Sequence, residues 1–237
     1  MSKRQRWFTF FDKPVPNLIL RLAVMFVGLS FVALGVALSR ATGLGTSPIS
    51  CLPATLSFIT PITIGTFTFI LNILFVLAQI ALLRRDFHPL QLLQVLFVFV
   101  FALLIDAFVP LCQLIPMDNY PIALMLSLVS SCCTAFGIVL QVNAALIMLP
   151  GDGIVLTVSR VFGLDFSKCK ITFDSTLVIL AVVTSLACLG GLQGVREGTI
   201  IAALATGYIM GWFRLALKNF EQFAPTKGHV TLTPKAK

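Results

Sequence analysis

Six stretches of this chain run for about twenty residues or more with at most one Asp, Glu, Lys or Arg each. They are Asn17–Ser39, Ile64–Leu83, Leu90–Leu114, Ile122–Leu149, Phe173–Leu192 and Thr199–Leu217. A bilayer core about 30 Å thick is crossed by about 20 apolar residues in a helix. Six such runs in 237 residues leave too little polar chain to cover them in water. Hydrophobic residues make up 58% and charged residues 11% of the chain, against roughly 45–50% and about 25% in soluble domains. The arithmetic excludes a cytosolic enzyme, a nucleic-acid-binding domain and a disordered chain. The expected class is all-α: a polytopic membrane protein of six transmembrane helices. The segment 17–217 forms one membrane domain between a basic tail, 1–16, and a second tail, 218–237.

Lys and Arg set orientation. With the N-terminus inside, 14 of the 17 basic residues fall on cytoplasmic segments. Only Arg40 and Arg196 fall outside, and Arg21 lies near the start of the first run, where it can reach the headgroups. Both termini are expected to be cytoplasmic. The net charge of +8 then marks the membrane side and does not imply a nucleic-acid partner. The first run is too long for a signal-peptide core and has no good cleavage site.

Two segments are neither clean spans nor short loops. Gly43–Pro61 is apolar but broken by Gly45, Pro48, Pro53 and Pro61, and Leu149–Phe162 opens with Pro150, Gly151, Asp152 and Gly153. In each, a Gly/Pro-rich turn precedes a helix too short to cross, with Thr46, Ser47 and Asp152 as N-cap candidates. The grammar repeats: Gly35 and Gly137 are 102 residues apart, as are Asn72 and Asp174, and Arg85-Asp86 and Arg196-Glu197 are offset by 111. The expected architecture is therefore an inverted 3+3 repeat, with halves 17–114 and 122–217, each holding one broken segment. Three spans per half is an odd number, which forces the flip. Two readings of the broken segments stand: re-entrant pieces lining a cavity, or amphipathic helices lying in the headgroups.

Small residues four apart, Ala33/Ala37/Ala41, Ser127/Ser131/Ala135 and Ala203/Gly207/Gly211, point to close helix packing. Polar groups within the apolar runs each require an account. Asp106 is either a coupling or substrate group in a cavity, or an aspartate at the outer interface. Asp174 is either a site residue or the partner of Lys168 and Lys170. Asn72 and Gln79 share a helical face. Arg196 and Glu197, in a glycine-rich outer turn, are either a gating pair or, for Glu197, a favourable charge before a helix N-terminus.

No catalytic constellation is present: no GxSxG, HExxH or P-loop. The six cysteines and two histidines have no metal-ligand spacing, so neither metal nor cofactor is expected. The leading expectation is a secondary transporter or permease of a small molecule. Its substrate-binding candidates are Gly45, Thr46, Ser47, Pro48, Asn72, Asp106, Pro150, Gly151, Asp152, Gly153 and Asp174, and its gating candidates are Arg196 and Glu197. The alternative is a non-transporting scaffold or regulator whose basic tails dock a cytoplasmic partner or anionic lipid. The expected partners are the lipid bilayer and the solute, with homo-oligomerisation left open.

Four stretches taken together carry a resemblance. GVALSRATGLGTSPIS (Gly35–Ser50), FTFILN (Phe67–Asn72), LPGDGIV (Leu149–Val155) and GVREGTIIAAL (Gly194–Leu204) resemble the bacterial YczE-like membrane proteins, related to the YitT group. The resemblance extends from about Asn17 to Phe213 and implies a multi-pass protein of the bacterial cytoplasmic (inner) membrane. It implies no substrate.

Overall fold

The computed structural model describes residues 17–84, 87, 89–115, 119–144 and 146–216. Among these it forms eight α-helices: α1 (Leu18–Thr42), α2 (Pro48–Ile59), α3 (Ile64–Leu83), α4 (Leu93–Gln113), α5 (Tyr120–Ala144), α6 (Pro150–Val161), α7 (Phe166–Leu189) and α8 (Glu197–Ala216). The tails 1–16 and 218–237 and the dipeptide Arg85-Asp86 lie outside the described residues.

The helix ends follow from local chemistry. Gly43 closes α1 in the left-handed region at φ 66°, which costs glycine nothing. Pro48 and Pro150 each occupy the first turn of their helices, where a missing N–H goes unnoticed. The Thr63 side chain caps α3 by accepting from the Thr66 N–H at 3.1 Å. Asp165 caps α7 by accepting from the Lys168 N–H at 3.2 Å.

Several expected boundaries move for the same reasons. The fourth apolar run is expected to be helical through Leu149; α5 instead stops at Ala144, and Leu149 is extended (φ −62°, ψ 147°), as the residue before a proline avoids the helical region. The fifth begins seven residues earlier than expected, at the Asp165 cap, so Lys168, Lys170 and Asp174 lie within α7. The N-cap of α6 is Leu149, and Asp152 lies in the first turn beyond it.

Five helices, α1, α3, α4, α5 and α7 from Lys168, are long and apolar enough to cross a membrane. The sixth expected run forms α8, 20 residues long. The distribution of side chains is inverted relative to a soluble protein. Leu74, Leu77, Leu96, Phe99, Leu103, Ile179, Val183 and Leu186 are exposed, while Asn72, Gln79, Gln94, Ser127, Ser130, Ser131, Thr134 and Gln141 are buried. Water would penalise that arrangement and hydrocarbon favours it. The chain is a multi-pass membrane protein.

The centre of the bundle is the antiparallel pair α1 and α5. Gly28 and Gly137 pack backbone to backbone; a Cβ on Gly28 would lie 2.8 Å from the Gly137 carbonyl oxygen, and one on Gly137 would lie 2.5 Å from that of Gly28. Higher on α1, Gly35 meets the backbone of Ser130 in the same way, at 2.8 Å. A shift of 102 residues carries the first contact onto the second. The same spacing separates the helix starts Leu18 and Tyr120, Pro48 and Pro150, and Ile64 and Phe166. The remaining packing is largely reciprocal: α1 on α4 and α5 on α8, α2 on α7 and α6 on α3, α2 on α3 and α6 on α7. The α3–α4 and α2–α8 contacts are exceptions, without comparable α7–α8 and α4–α6 contacts.

Arg21 does not extend to the surface as expected. It is 7% exposed. One guanidinium nitrogen donates to the Ala144 carbonyl at 3.5 Å, and among the described residues its Nε has no partner. It sits at the C-terminal end of α5, where a positive charge opposes the helix dipole.

Candidate functional site

The two short helices define the site. At 12 residues each they span about 18 Å, too little to cross. Their first turns meet: Gly151 of α6 abuts the Cδ1 of Ile49 of α2, so closely that a methyl group on Gly151 would overlap it. Ile49 and Gly151 are themselves 102 residues apart. Two helix N-termini, each with unsatisfied N–H groups and positive partial charge, therefore converge inside the bundle. Neither N-cap residue, Ser47 or Leu149, makes a side-chain capping bond. Pro53, inside α2, has no N–H to offer the Ile49 carbonyl.

The surroundings of the two ends differ. In α6, Asp152 lies in the first turn, and the Gln79 amide reaches across from α3 to the Pro150 carbonyl at 3.2 Å. Gly153 faces the Gln79 side chain and donates its N–H to the Leu149 carbonyl at 2.9 Å. Lys170 of α7 bridges Asp152 at 2.9 Å and Asp174 at 3.1 Å. In α2 the first turn holds no charge, and a charged side chain packs at its far end instead. There Arg40 donates to the Ala54 carbonyl at 3.4 Å and to the Ser57 hydroxyl, and lies 4.3 Å over the Phe58 ring.

Beside the N-cap of α2, a cavity of about 10 Å³ is lined by Ser39, Ser47, Ser130, Ser131, Thr134 and Thr206 together with Gly35, Val36 and Ala202. Three of these hydroxyls donate elsewhere: Ser39 to the Gly45 carbonyl at 2.7 Å, Ser47 to Ser50 Oγ at 3.2 Å and Ser131 to the Ser127 carbonyl at 3.0 Å. Among the described residues Thr206 Oγ1 has no partner, and neither do the buried hydroxyls of Thr46, Ser127 and Thr199.

Above the cavity, two loops interlock. The Thr46 N–H donates to the Gly194 carbonyl at 3.3 Å, and the Gly198 N–H donates to the Leu44 carbonyl at 2.8 Å. The Thr55 hydroxyl donates to the Gln193 carbonyl at 3.0 Å. Gly45 (φ 105°) and Gly194 (φ 82°) adopt positive φ, and a Cβ on either would strike the opposite segment. Arg196 and Glu197 pair at 3.0 Å on the exposed rim of this latch.

The expected site residues thus fall into three groups. Gly45, Thr46, Arg196 and Glu197 belong to the latch. Ser47, Pro48, Pro150, Gly151 and Gly153 form the junction. Asp152 and Asp174 share Lys170. Two others are elsewhere. Asp106 accepts from the Thr63 hydroxyl at 2.7 Å and the Gly65 N–H at 2.8 Å, so it holds the N-terminus of α3. Asn72 is buried and donates within its own helix to the Thr68 carbonyl at 2.8 Å. The hydroxyls of Ser39, Ser130, Thr134, Thr199 and Thr206 escaped the sequence reading. The one trace of the chamber was the Ser127/Ser131 stripe, which reads as packing.

No group of three or more His, Cys, Asp or Glu residues among the described residues is arranged to hold a metal. No curated protein and no solved structure matches the chain. The model of one protein family, a family of unknown function (DUF6198), matches residues 19–215, nearly the whole membrane domain, and the chain belongs to that family.

Proposed function

We propose that the protein is a permease for a small polar molecule, built as an inverted repeat of α1–α4 and α5–α8, with α8 as its sixth span. The observation that carries this reading is the abutment of Ile49 and Gly151: two short helices, one from each half, converge by their N-termini beside a buried hydroxyl-lined cavity. Broken helices survive at membrane depth where protein or a wet cavity satisfies the freed backbone groups. Half-helix termini at a repeat interface are a recurrent way to hold solutes in transporters. The recurrence at 102 residues and the antiparallel α1–α5 pair support the inverted relation. The resemblance to YczE-like proteins and the charge asymmetry support a bacterial cytoplasmic membrane with both termini inside. In that orientation the latch formed by residues 43–46 and 193–199 seals the outer face, and Asp152, Lys170 and Asp174 lie on the inner side. Alternating access then requires the latch to part as one half rocks on the α1–α5 seam.

The test is solute flux in proteoliposomes. A permease gives protein-dependent, saturable flux that falls when a cysteine pair locks residues 55 and 193 together and returns on reduction. A scaffold gives no flux, and loses its partner when tails 1–16 and 218–237 are deleted; the permease keeps its flux after the same deletion.

A further inference from the structure

The cavity beside α2 also carries information about what fits it. Ser130 is 3% and Thr134 is 7% exposed, both line the cavity, and neither side chain forms a hydrogen bond among the described residues. With Thr206, whose Oγ1 is buried and unpartnered, three hydroxyl protons are free to be donated into the space. Ser39, Ser47 and Ser131 have already given theirs away and present lone pairs alone. No acidic or basic side chain lines the cavity. A cation would be desolvated here with no carboxylate to balance its charge, and an anion with no basic group. A mixed, uncharged set suits a group that donates and accepts at once.

The lining draws on both halves of the chain, and most of its hydroxyls have no polar counterpart 102 residues away. Ser130, Ser131 and Thr134 are matched by Gly28, Leu29 and Val32, and Ser47 by Leu149, whereas Ser39 is matched by the buried Gln141. Leu29 and Val32 belong to a packed apolar core. The pattern is therefore not a consequence of the backbone, which would serve equally well with apolar residues. A buried hydroxyl without a partner costs about 1–3 kcal/mol. A space of about 10 Å³ takes one water-sized group.

We infer that this cavity receives a hydroxyl or amide group of an uncharged polar solute, and that ions are not its ligand. The inference deepens the permease reading and rests on it for the route by which the solute arrives. The rest of the solute occupies space opened when the latch above Ser47 parts.

The experiment uses the full chain in lipid nanodiscs, with thermal unfolding followed against glycerol, erythritol and urea, and against sodium chloride, potassium acetate and ammonium chloride at matched osmolality. The expected result is a saturable upward shift with at least one neutral probe. That shift is at least tenfold weaker in midpoint concentration for Ser130→Ala or Thr206→Val, two independent variants in case one fails to fold. A saturable shift with a salt and with no neutral probe overturns the inference, as does no saturable shift at all, or a shift unchanged in both variants. Proteoliposome flux separates this from the permease reading. Neutral-probe binding without flux supports the chemistry and refutes the permease, whereas flux confined to ions overturns the chemistry and leaves the permease standing.

Discussion

Ile49 and Gly151 occupy the same position in two helices whose starts are 102 residues apart, and they touch. The contact joins two helix N-termini, whose first-turn N–H groups have no partner within their own helices. A larger residue at position 151 requires the tip of Ile49 to turn aside.

The seam beneath it is equally tight. Gly28→Val sets a branched side chain 2.8 Å from the Gly137 carbonyl oxygen, a backbone atom in a helix that cannot yield locally. Overpacking of this kind costs about 1–3 kcal/mol, and thermal unfolding in detergent is expected to show it. Gly43→Ala meets no neighbour within 4 Å and loses only the left-handed preference, about 1 kcal/mol.

Asp106 separates an architectural carboxylate from a working one. Asp106→Asn keeps the shape but weakens the acceptors of the Thr63 hydroxyl and Gly65 N–H. The expected cost is about 1 kcal/mol of stability, read by thermal unfolding, with flux per folded molecule unchanged. A complete loss of flux in a fully folded Asp106→Asn protein contradicts this assignment.

Lys170 holds two carboxylates at once. Each pair is partly exposed, so each is worth at most about 1 kcal/mol. Removal of the lysine, however, leaves Asp152 and Asp174 facing each other without a counter-charge. Lys170→Met is therefore expected to unfold at a lower temperature than Asp174→Asn, and the double variant Lys170→Met/Asp174→Asn to recover part of the loss. Additive effects in this cycle rule out the bridge as a coupled unit.

Arg21 is a buried cation with one long hydrogen bond. Replacing such a charge with a side chain of similar volume is often neutral or stabilising. Arg21→Met is expected to unfold at the same temperature or higher, and a fall of several degrees contradicts the burial described.

The parts of this fold legible in the sequence are those written in backbone chemistry. Pro48, Pro150 and the glycines around them announce short helices because no other residues break apolar runs so abruptly, and Gly35 and Gly137 already carry the spacing of 102. Side-chain partnerships across helices were not legible. Asp106 reads as a candidate site residue because its partners, Thr63 and Gly65, are more than forty positions away in the chain. The serine and threonine chamber was hidden for a different reason. Single hydroxyls in a membrane helix usually bond to the preceding turn, as Ser131 does, and only the fold reveals that Ser130, Thr134 and Thr206 do not. The proposed match of Arg85-Asp86 with Arg196-Glu197 involves residues outside the described structure on one side, and on the other the pair starts α8, whose counterpart is the beginning of α4.

The central claim is that α2 and α6 meet end to end within the membrane, and one measurement bears on it most directly. In a protein with its six native cysteines replaced, Ile49→Cys and Gly151→Cys are introduced together and challenged in native membranes with mercuric ion and with a membrane-impermeant thiol reagent. Ready intramolecular bridging of the pair, with little labelling of either single variant by the impermeant reagent, is the result this account predicts. Full labelling of both single variants and no bridge in the pair would place the two helices apart on the lipid surface and contradict it.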